Sequence, residues 1–181
     1  EDRIKYDEAW VAQVVLARKR LEVEATAANP RPGCQGGLLD AFDAQLPFEL
    51  TDGQLAVGKE IGAELALDHP MHRLLQGEVG SGKTIVALRA MLQVVDSGGQ
   101  AALLAPTDVL AQQHLRSMSA MLGDLAAAGM LGGAEVSTRL TLLTGSLGAK
   151  ARRQALLDAA SGEAGIVIGT HALLEEHVSF A

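Results

Sequence analysis

Aromatic side chains are scarce in this chain. Phe, Trp and Tyr together make up 3% of its 181 residues, so any core must be built from aliphatic side chains and alanine. Cysteine occurs once, at Cys34, which excludes a disulfide framework and a cysteine-ligated zinc site. That cysteine sits in a Pro/Gly-rich connector and is expected to be a bystander. Positive charge is in deficit: 15 Lys and Arg stand against 22 Asp and Glu, for a net charge of −7. A simple basic nucleic-acid-binding module would carry a positive footprint instead, although local contacts to a phosphate backbone stay compatible with this balance. No apolar run reaches membrane-spanning length without a charge or a glycine, and no signal peptide opens the chain. The expectation is therefore a cytoplasmic protein without a membrane partner. Hydrophobic residues are not lacking: at 48% they exclude global disorder and suffice for one domain, or a domain with an appendage.

The most informative stretch is Gly77-Glu78-Val79-Gly80-Ser81-Gly82-Lys83-Thr84. It has the spacing of a loop that cradles phosphates: glycine, four residues, then Gly-Lys-Thr. Arg73-Leu74-Leu75-Gln76 can be a strand entering the loop, and Ile85 to Leu92 a helix leaving it. The chemistry requires that order. Glycines let the backbone turn tightly so that its N–H groups point inward, and the helix N-terminus adds partial positive charge. Lys83 would reach the β- and γ-phosphates and the Thr84 hydroxyl would take one position on Mg²⁺. The motif implies that the chain binds ATP or GTP. The alternative is a glycine-rich turn between core elements.

Elsewhere the pattern divides the chain. Residues 4–25 read as one helix with Tyr6, Trp10, Val14, Ala17 and Leu21 on an apolar stripe, and with Arg18-Lys19-Arg20 near its C-terminal end. Such a stripe without a local partner is expected to pack against another segment or domain. Residues 28–37 are dense in Pro and Gly and read as a connector. From Pro47 the pattern becomes α/β. Thr51 and Gln54 have the spacing of a capping box opening a helix to about Leu67. Further strands are predicted at 100–105, 139–143 and 165–168, and helices at 108–122 and 149–160, with a glycine-rich excursion at 128–137 between them. Strands alternating with helices imply a parallel sheet, with the phosphate loop at the C-terminal end of a strand.

One motif is missing. An ATPase of this kind needs an apolar strand ending in Asp, often Asp-Glu, to hold Mg²⁺ and orient water. Val94-Val95-Asp96 reads instead as a helix end before Ser97-Gly98-Gly99, and Glu175-Glu176-His177 as a solvated helical turn. The sheet is thus expected to be unfinished and the chain to be a fragment of a longer enzyme.

Five blocks, taken together and in order, are similar to one family. They are Leu46-Pro47-Phe48-Glu49-Leu50-Thr51-Asp52-Gly53-Gln54, the run from His69-Pro70-Met71-His72 through the phosphate loop to Thr84, Ala105-Pro106-Thr107-Asp108-Val109-Leu110-Ala111-Gln112-Gln113-His114, Leu142-Leu143-Thr144-Gly145-Ser146, and Gly169-Thr170-His171-Ala172-Leu173-Leu174. They resemble the front half of the first helicase domain of the RecG family, bacterial branched-DNA translocases of helicase superfamily 2. The resemblance covers residues 46–180 and extends more weakly to the first helix, which looks like the linker between a DNA-binding wedge domain and the motor. The competing resemblance is to the translocation module of the Mfd family. Ser81, where Mfd-like loops tend to carry an aromatic, and the Thr144-Gly145-Ser146 block both favour RecG.

The resemblance implies a RecA-like α/β fold, with residues 1–45 a linker helix and connector and residues 46–181 the N-terminal part of the first motor domain. It implies that Phe48 stacks on adenine and that Gln54 hydrogen-bonds the adenine edge, with Thr51 beside it, so that ATP is preferred to GTP. The capping box competes for the same Gln54 amide, which has few groups to share. Gly77, Glu78, Val79, Gly80, Ser81, Gly82, Lys83 and Thr84 would hold the phosphates, with Lys83 and Thr84 catalytic. Pro106 and Thr107, then Thr144, Gly145 and Ser146, then Gly169 and Thr170 would meet a DNA strand at its backbone, positioning it without reading sequence. Without the resemblance these last blocks are ordinary turns at strand ends. Lys150, Arg152 and Arg153 could assist electrostatically. The stretch 129–137 departs from the family as an insertion. No stretch of this sequence matches the Asp-Glu motif, the second motor domain, its arginine finger or the wedge domain. The implied activity is ATP-driven remodelling of branched DNA by the parent enzyme, with this chain a monomer inactive on its own. Two alternatives stay open: a nucleotide-binding module without activity, and an unrelated P-loop enzyme such as a small-molecule kinase.

Overall fold

Three short apolar runs form the sheet. In the computed structural model, which describes residues 2–127, 136–175 and 178–181, they are β1 (Ala101–Leu104), β2 (Arg139–Leu143) and β3 (Ala164–Gly169). All pair in parallel in the order β1-β3-β2, with Ala102 opposite Val167 and Leu142 opposite Ile168. The central strand β3 is buried along its whole length, as expected of a parallel strand covered on both faces. Its side chains divide by the period of two: Ile166 and Ile168 join one apolar cluster and Val167 the other.

Helices supply the two covering layers. They are α1 (Asp2–Glu24), α2 (Leu38–Gln45), α3 (Asp52–Leu65), α4 (Lys83–Asp96), α5 (Asp108–Leu122) and α6 (Ala149–Ala160), with short 3₁₀ turns at Gly123–Ala126 and His171–Leu174. Helix α4 packs against β1, β3, α2 and α3, burying Ile85, Val86, Leu88, Met91 and Leu92. Helix α6 lies against β2 and β3, where Ala155 and Ala159 meet Leu143, Val167 and Leu173. The result is the α/β arrangement predicted from the alternation of strands and helices.

Most boundaries match the sequence pattern: α5, β2 and α6 have the predicted ends, and Val94-Val95-Asp96 does end a helix. Two elements differ from the predicted pattern, and the α1 stripe has no cover among the described residues. Residues 73–76, predicted as the first strand, have irregular backbone. A strand exists only through a ladder partner, and among the described residues β1 pairs β3 alone. Helix α2 went unread because it is short and follows a run of helix breakers, yet its Leu38 and Phe42 are among the largest fully buried side chains. Residues N-terminal to position 46 thus contribute to the core of the motor-like segment. Finally, the stripe on α1 stays uncovered, with Tyr6 68% and Trp10 58% exposed. Of the predicted insertion, residues 129–135 lie outside the described residues, as do Glu176 and His177. Among the described residues no helix is long and apolar enough to cross a membrane.

Because Phe42 is fully buried between α2 and α4, Phe42→Ala should cost ~3–5 kcal/mol, the usual range for deleting a buried ring. Urea unfolding monitored by circular dichroism checks this. A loss below ~1 kcal/mol would show that α2 lies outside the cooperative unit.

Candidate functional site

Helix α4 begins where the glycine loop ends. Gly82, its N-cap, has φ 82° and ψ 23°, and Gly80 has φ 84°. This left-handed backbone favours glycine and turns the loop tightly. Ser81 N–H donates to the Glu78 carbonyl at 3.2 Å and closes the turn. A Cβ at Gly82 would collide with the Gln54 amide, and one at Gly77 would fall 2.6 Å from Ser81 Oγ. Glycine at these two positions thus lets the Gln54 and Ser81 side chains approach the backbone of the loop, whose tight turn at a helix N-terminus is a cradle suited to phosphate oxygens.

Lys83 occupies the mouth of this cradle. Its Nζ donates to the carbonyls of Gly77 at 2.8 Å and Glu78 at 2.7 Å. The ammonium has three donors, and two serve to hold the loop in shape. Thr84 follows, half-buried in the first turn of α4. No cluster of three or more His, Cys, Asp or Glu among the described residues could hold a metal ion by itself.

Gln54 fulfils the capping box and reaches the loop at once. Gln54 N–H donates to Thr51 Oγ1 at 3.3 Å, and Thr51 N–H donates to Gln54 Oε1 at 2.9 Å, which closes the start of α3. The remaining end of the amide, Nε2, donates to the Ser81 carbonyl at 3.0 Å. Sequence spacing shows the first pair and cannot show the third contact, which spans 27 residues. Thr51, Gln54, Gly77, Ser81 and Lys83 line one cavity of about 280 Å³, joined by Val57, Leu75 and Val86. Those apolar residues were missed; the position of Val57, three residues after Gln54 on the same helix face, was the available signal. Phe48 lies apart from this group, 53% exposed, in a separate cavity with Leu46, Pro47, Leu50 and Leu55. Glu78, Val79 and Gly80 form the exposed crest of the loop.

The segment entering the loop is held by charge rather than by a sheet. Arg73 donates to Glu60 at 2.8 Å and pairs with Glu64 through both of that residue's carboxylate oxygens. The hydrogen bond from Arg73 holds the Glu64 carboxyl below its ordinary value. A depressed carboxyl stabilises the fold at neutral pH and loses that contribution as pH falls through its folded-state value. Both side chains are about a third exposed, so solvent screens the pair.

The other candidate residues converge at one end of the sheet. Gly169 lies opposite both Leu104 and Leu143, so the three strands end together. Pro106 and Thr107 follow β1, Thr144, Gly145 and Ser146 follow β2, and Gly169 and Thr170 close β3. Helix α4 connects the phosphate loop at its N-terminus to the start of β1, so it runs back along the sheet and leaves the loop toward this same end. Thr107 caps α5, accepting from Leu110 N–H at 3.3 Å. Pro106, Thr107, Gly145 and Ser146 are exposed, whereas Thr144, Gly169 and Thr170 are buried. Thr144 Oγ1 lies 3.3 Å from Ser146 Oγ and shapes the turn. Thr170 Oγ1 is buried and has no hydrogen-bond partner among the described residues. Of the basic residues on α6, Arg152 donates to Glu175 at 2.7 Å, while Lys150 and Arg153 are exposed.

A phosphate loop on an α/β sheet, with small-residue turns gathered at the strand ends beside it, defines a nucleotide-binding domain of the P-loop class. The family follows from comparison. A model of the DEAD/DEAH box helicases matches residues 59–180, and the chain belongs to that family. It is 53% identical over 180 residues to the ATP-dependent DNA helicase RecG of Mycobacterium tuberculosis, covering 99% of this chain and 24% of the relative. It is 39% identical over 179 residues to RecG of Streptococcus pneumoniae, covering 99% and 25%. A solved structure of RecG bound to a three-way DNA junction superposes with a TM-score of 0.82 at 34% identity, covering 97% of this chain and 22% of that one. The resemblance read from the five sequence blocks is borne out. The chain spans about a quarter of the length of the curated relatives it matches.

Two outcomes are expected. Thr51→Ala removes the N-cap of α3 and should cost ~1 kcal/mol in thermal or urea unfolding. Arg73→Gln should lower the unfolding midpoint at pH 7, and that difference should close as pH falls below the ordinary carboxylate range, measured by parallel melts across a pH series.

Proposed function

We propose that this chain supplies the ATP-binding half of a DNA translocase of the RecG type, which acts on branched DNA as a longer protein. The observation that carries the reading is the juxtaposition of the phosphate loop with three strand-end turns at one end of the sheet, in a chain 53% identical to a RecG helicase. The similar proteins named above are RecG proteins, which favours this reading over the Mfd-type one.

The residues divide the work by their chemistry. Lys83 would exchange its two carbonyl partners for the β- and γ-phosphates, so the loop that it now holds closed would close on the nucleotide instead. Backbone N–H groups of residues 79–84 and the N-terminus of α4 would share the negative charge. Thr84 would hold Mg²⁺, which when bound neutralises charge on the phosphate oxygens. Gln54 would trade the Ser81 carbonyl for the adenine edge, favouring ATP, and Phe48 would move onto the adenine face as its own cavity closes. At the strand ends, Thr107, Gly145 and Ser146 would meet the phosphates of one DNA strand through hydroxyl and backbone N–H donors. The buried Thr144, Gly169 and Thr170 would hold those turns in place. Lys150 and Arg153 would add attraction that weakens with salt.

The test is ATP turnover by the full-length protein with forked DNA, linear duplex and no DNA. Forked DNA should stimulate most strongly. Lys83→Ala should reduce turnover by at least ~100-fold, in keeping with loss of a charge aimed at the reacting phosphates, with the circular dichroism spectrum unchanged. Turnover indifferent to DNA would defeat the translocase reading, and a normally active Lys83→Ala variant would defeat the assignment of the loop. The 181-residue chain alone should bind nucleotide with little or no turnover.

A further inference from the structure

The face of α4 turned away from the sheet carries three polar side chains on successive turns, Arg89, Gln93 and Asp96, and each is committed to a partner outside its own helix. Arg89 donates from Nε and Nη2 to the two carboxylate oxygens of Asp43, at 2.9 and 2.8 Å. Gln93 is 7% exposed, and its Nε2 donates to the carbonyls of Arg31 at 2.8 Å and Gly62 at 2.9 Å. Asp96 accepts from Leu38 N–H at 2.7 Å and Leu39 N–H at 3.0 Å, capping α2 across a gap of 58 residues. Apart from Gly62 of α3, every partner belongs to residues 31–43.

Glycines make room for all three. A Cβ at Gly58 would fall 2.5 Å from Arg89 Nη1, one at Gly62 2.7 Å from Gln93 Oε1, and one at Gly37 2.7 Å from the Asp96 carboxyl group. Gly58 and Gly62 are one turn apart on α3, as Arg89 and Gln93 are on α4. Stability alone does not call for this seam, because apolar side chains of similar volume usually replace a half-buried ion pair at no loss. What a hydrogen-bonded seam adds is registry. Its partners move together or the bonds break, whereas apolar surfaces can slide.

We infer that this seam couples the nucleotide state of the phosphate loop to the connector: when the loop closes on a nucleotide and α4 shifts, Arg89, Gln93 and Asp96 carry residues 31–43 with it. The inference rests on the nucleotide reading given above. These three are positioning residues. Gln93 and Asp96 begin ~15 Å from the loop along the helix axis, at 1.5 Å per residue, and touch neither nucleotide nor DNA. The seam also gives the connector a function that its composition hides. Helix α1 ends at Glu24, seven residues before Arg31 in the chain.

Cys34 supplies the reporter. It is the only cysteine in the chain, it is exposed, and it lies between Arg31 and Leu38. A polarity-sensitive maleimide dye on Cys34 is followed during titration with ATP and Mg²⁺, while calorimetry measures nucleotide binding directly. In the unaltered chain the dye signal should change with the half-saturation found by calorimetry. In Asp96→Asn and in Arg89→Met the affinity should stay within about twofold, while the amplitude of the dye response falls by more than half. A charge-swapped pair, Asp43→Arg with Arg89→Asp, should recover part of the amplitude and guards against a single variant that fails to fold. A full-amplitude response in the folded variants would overturn the coupling, and so would a silent dye in a chain that binds nucleotide. A chain that binds no nucleotide by calorimetry would overturn the nucleotide reading and this inference together.

Discussion

The burial of α4 is the constraint on which the rest of this structure depends. One side of the helix meets β1 and β3, another meets α2 and α3, and Leu88 and Leu92 between them are fully buried. Close packing leaves a helix in such a position little freedom to move independently of its neighbours, so a displacement of it is passed on to them. Its N-terminus therefore presents the loop and Lys83 in a fixed direction, and its C-terminus delivers the chain to the start of β1. Gly80 and Gly82 convert that fixed helix end into a cradle, because their left-handed backbone lets the loop turn back over the helix N-terminus.

The same burial explains why the loop can hold its shape through so few polar contacts. Lys83 ties down two carbonyls and Gln54 a third. All three bonds involve groups that a nucleotide would compete for, so binding exchanges partners at the loop itself. That is the economy expected of a site built on a rigid element with mobile side chains around it. Polar ties on the other face of α4 run to the connector instead, which puts the loop and the N-terminal segment at opposite ends of one lever.

At the strand ends the logic is geometric. A parallel sheet in register brings three loops, far apart in sequence, to one edge. Small residues there leave the edge open, and the buried Thr144 shapes its turn through the contact of its hydroxyl with Ser146. Residues 106–107, 144–146 and 169–170 are unremarkable as isolated turns. Their meaning lies in sharing an edge with the phosphate loop.

Much of this was legible in the sequence because its causes are local. The phosphate loop is a contiguous motif, the capping box of Thr51 and Gln54 is a three-residue spacing, and α5, β2 and α6 follow from periodicity and breakers within each segment. Five ordered blocks sufficed to indicate the helicase family. What the sequence alone did not determine are properties of pairing and packing. Residues 73–76 have the composition of a strand and no ladder partner, so they stay irregular. Leu38 to Gln45 lack any helix signal beyond their own few residues, and become a helix because Asp96 caps them and Leu38 and Phe42 find the core beside α4. Composition marks residues 28–37 as a connector and says nothing of the seam that holds its end. Only the tertiary structure decided those points, because a hydrogen bond between residues 58 apart depends on where the intervening chain goes, and no local pattern encodes that path.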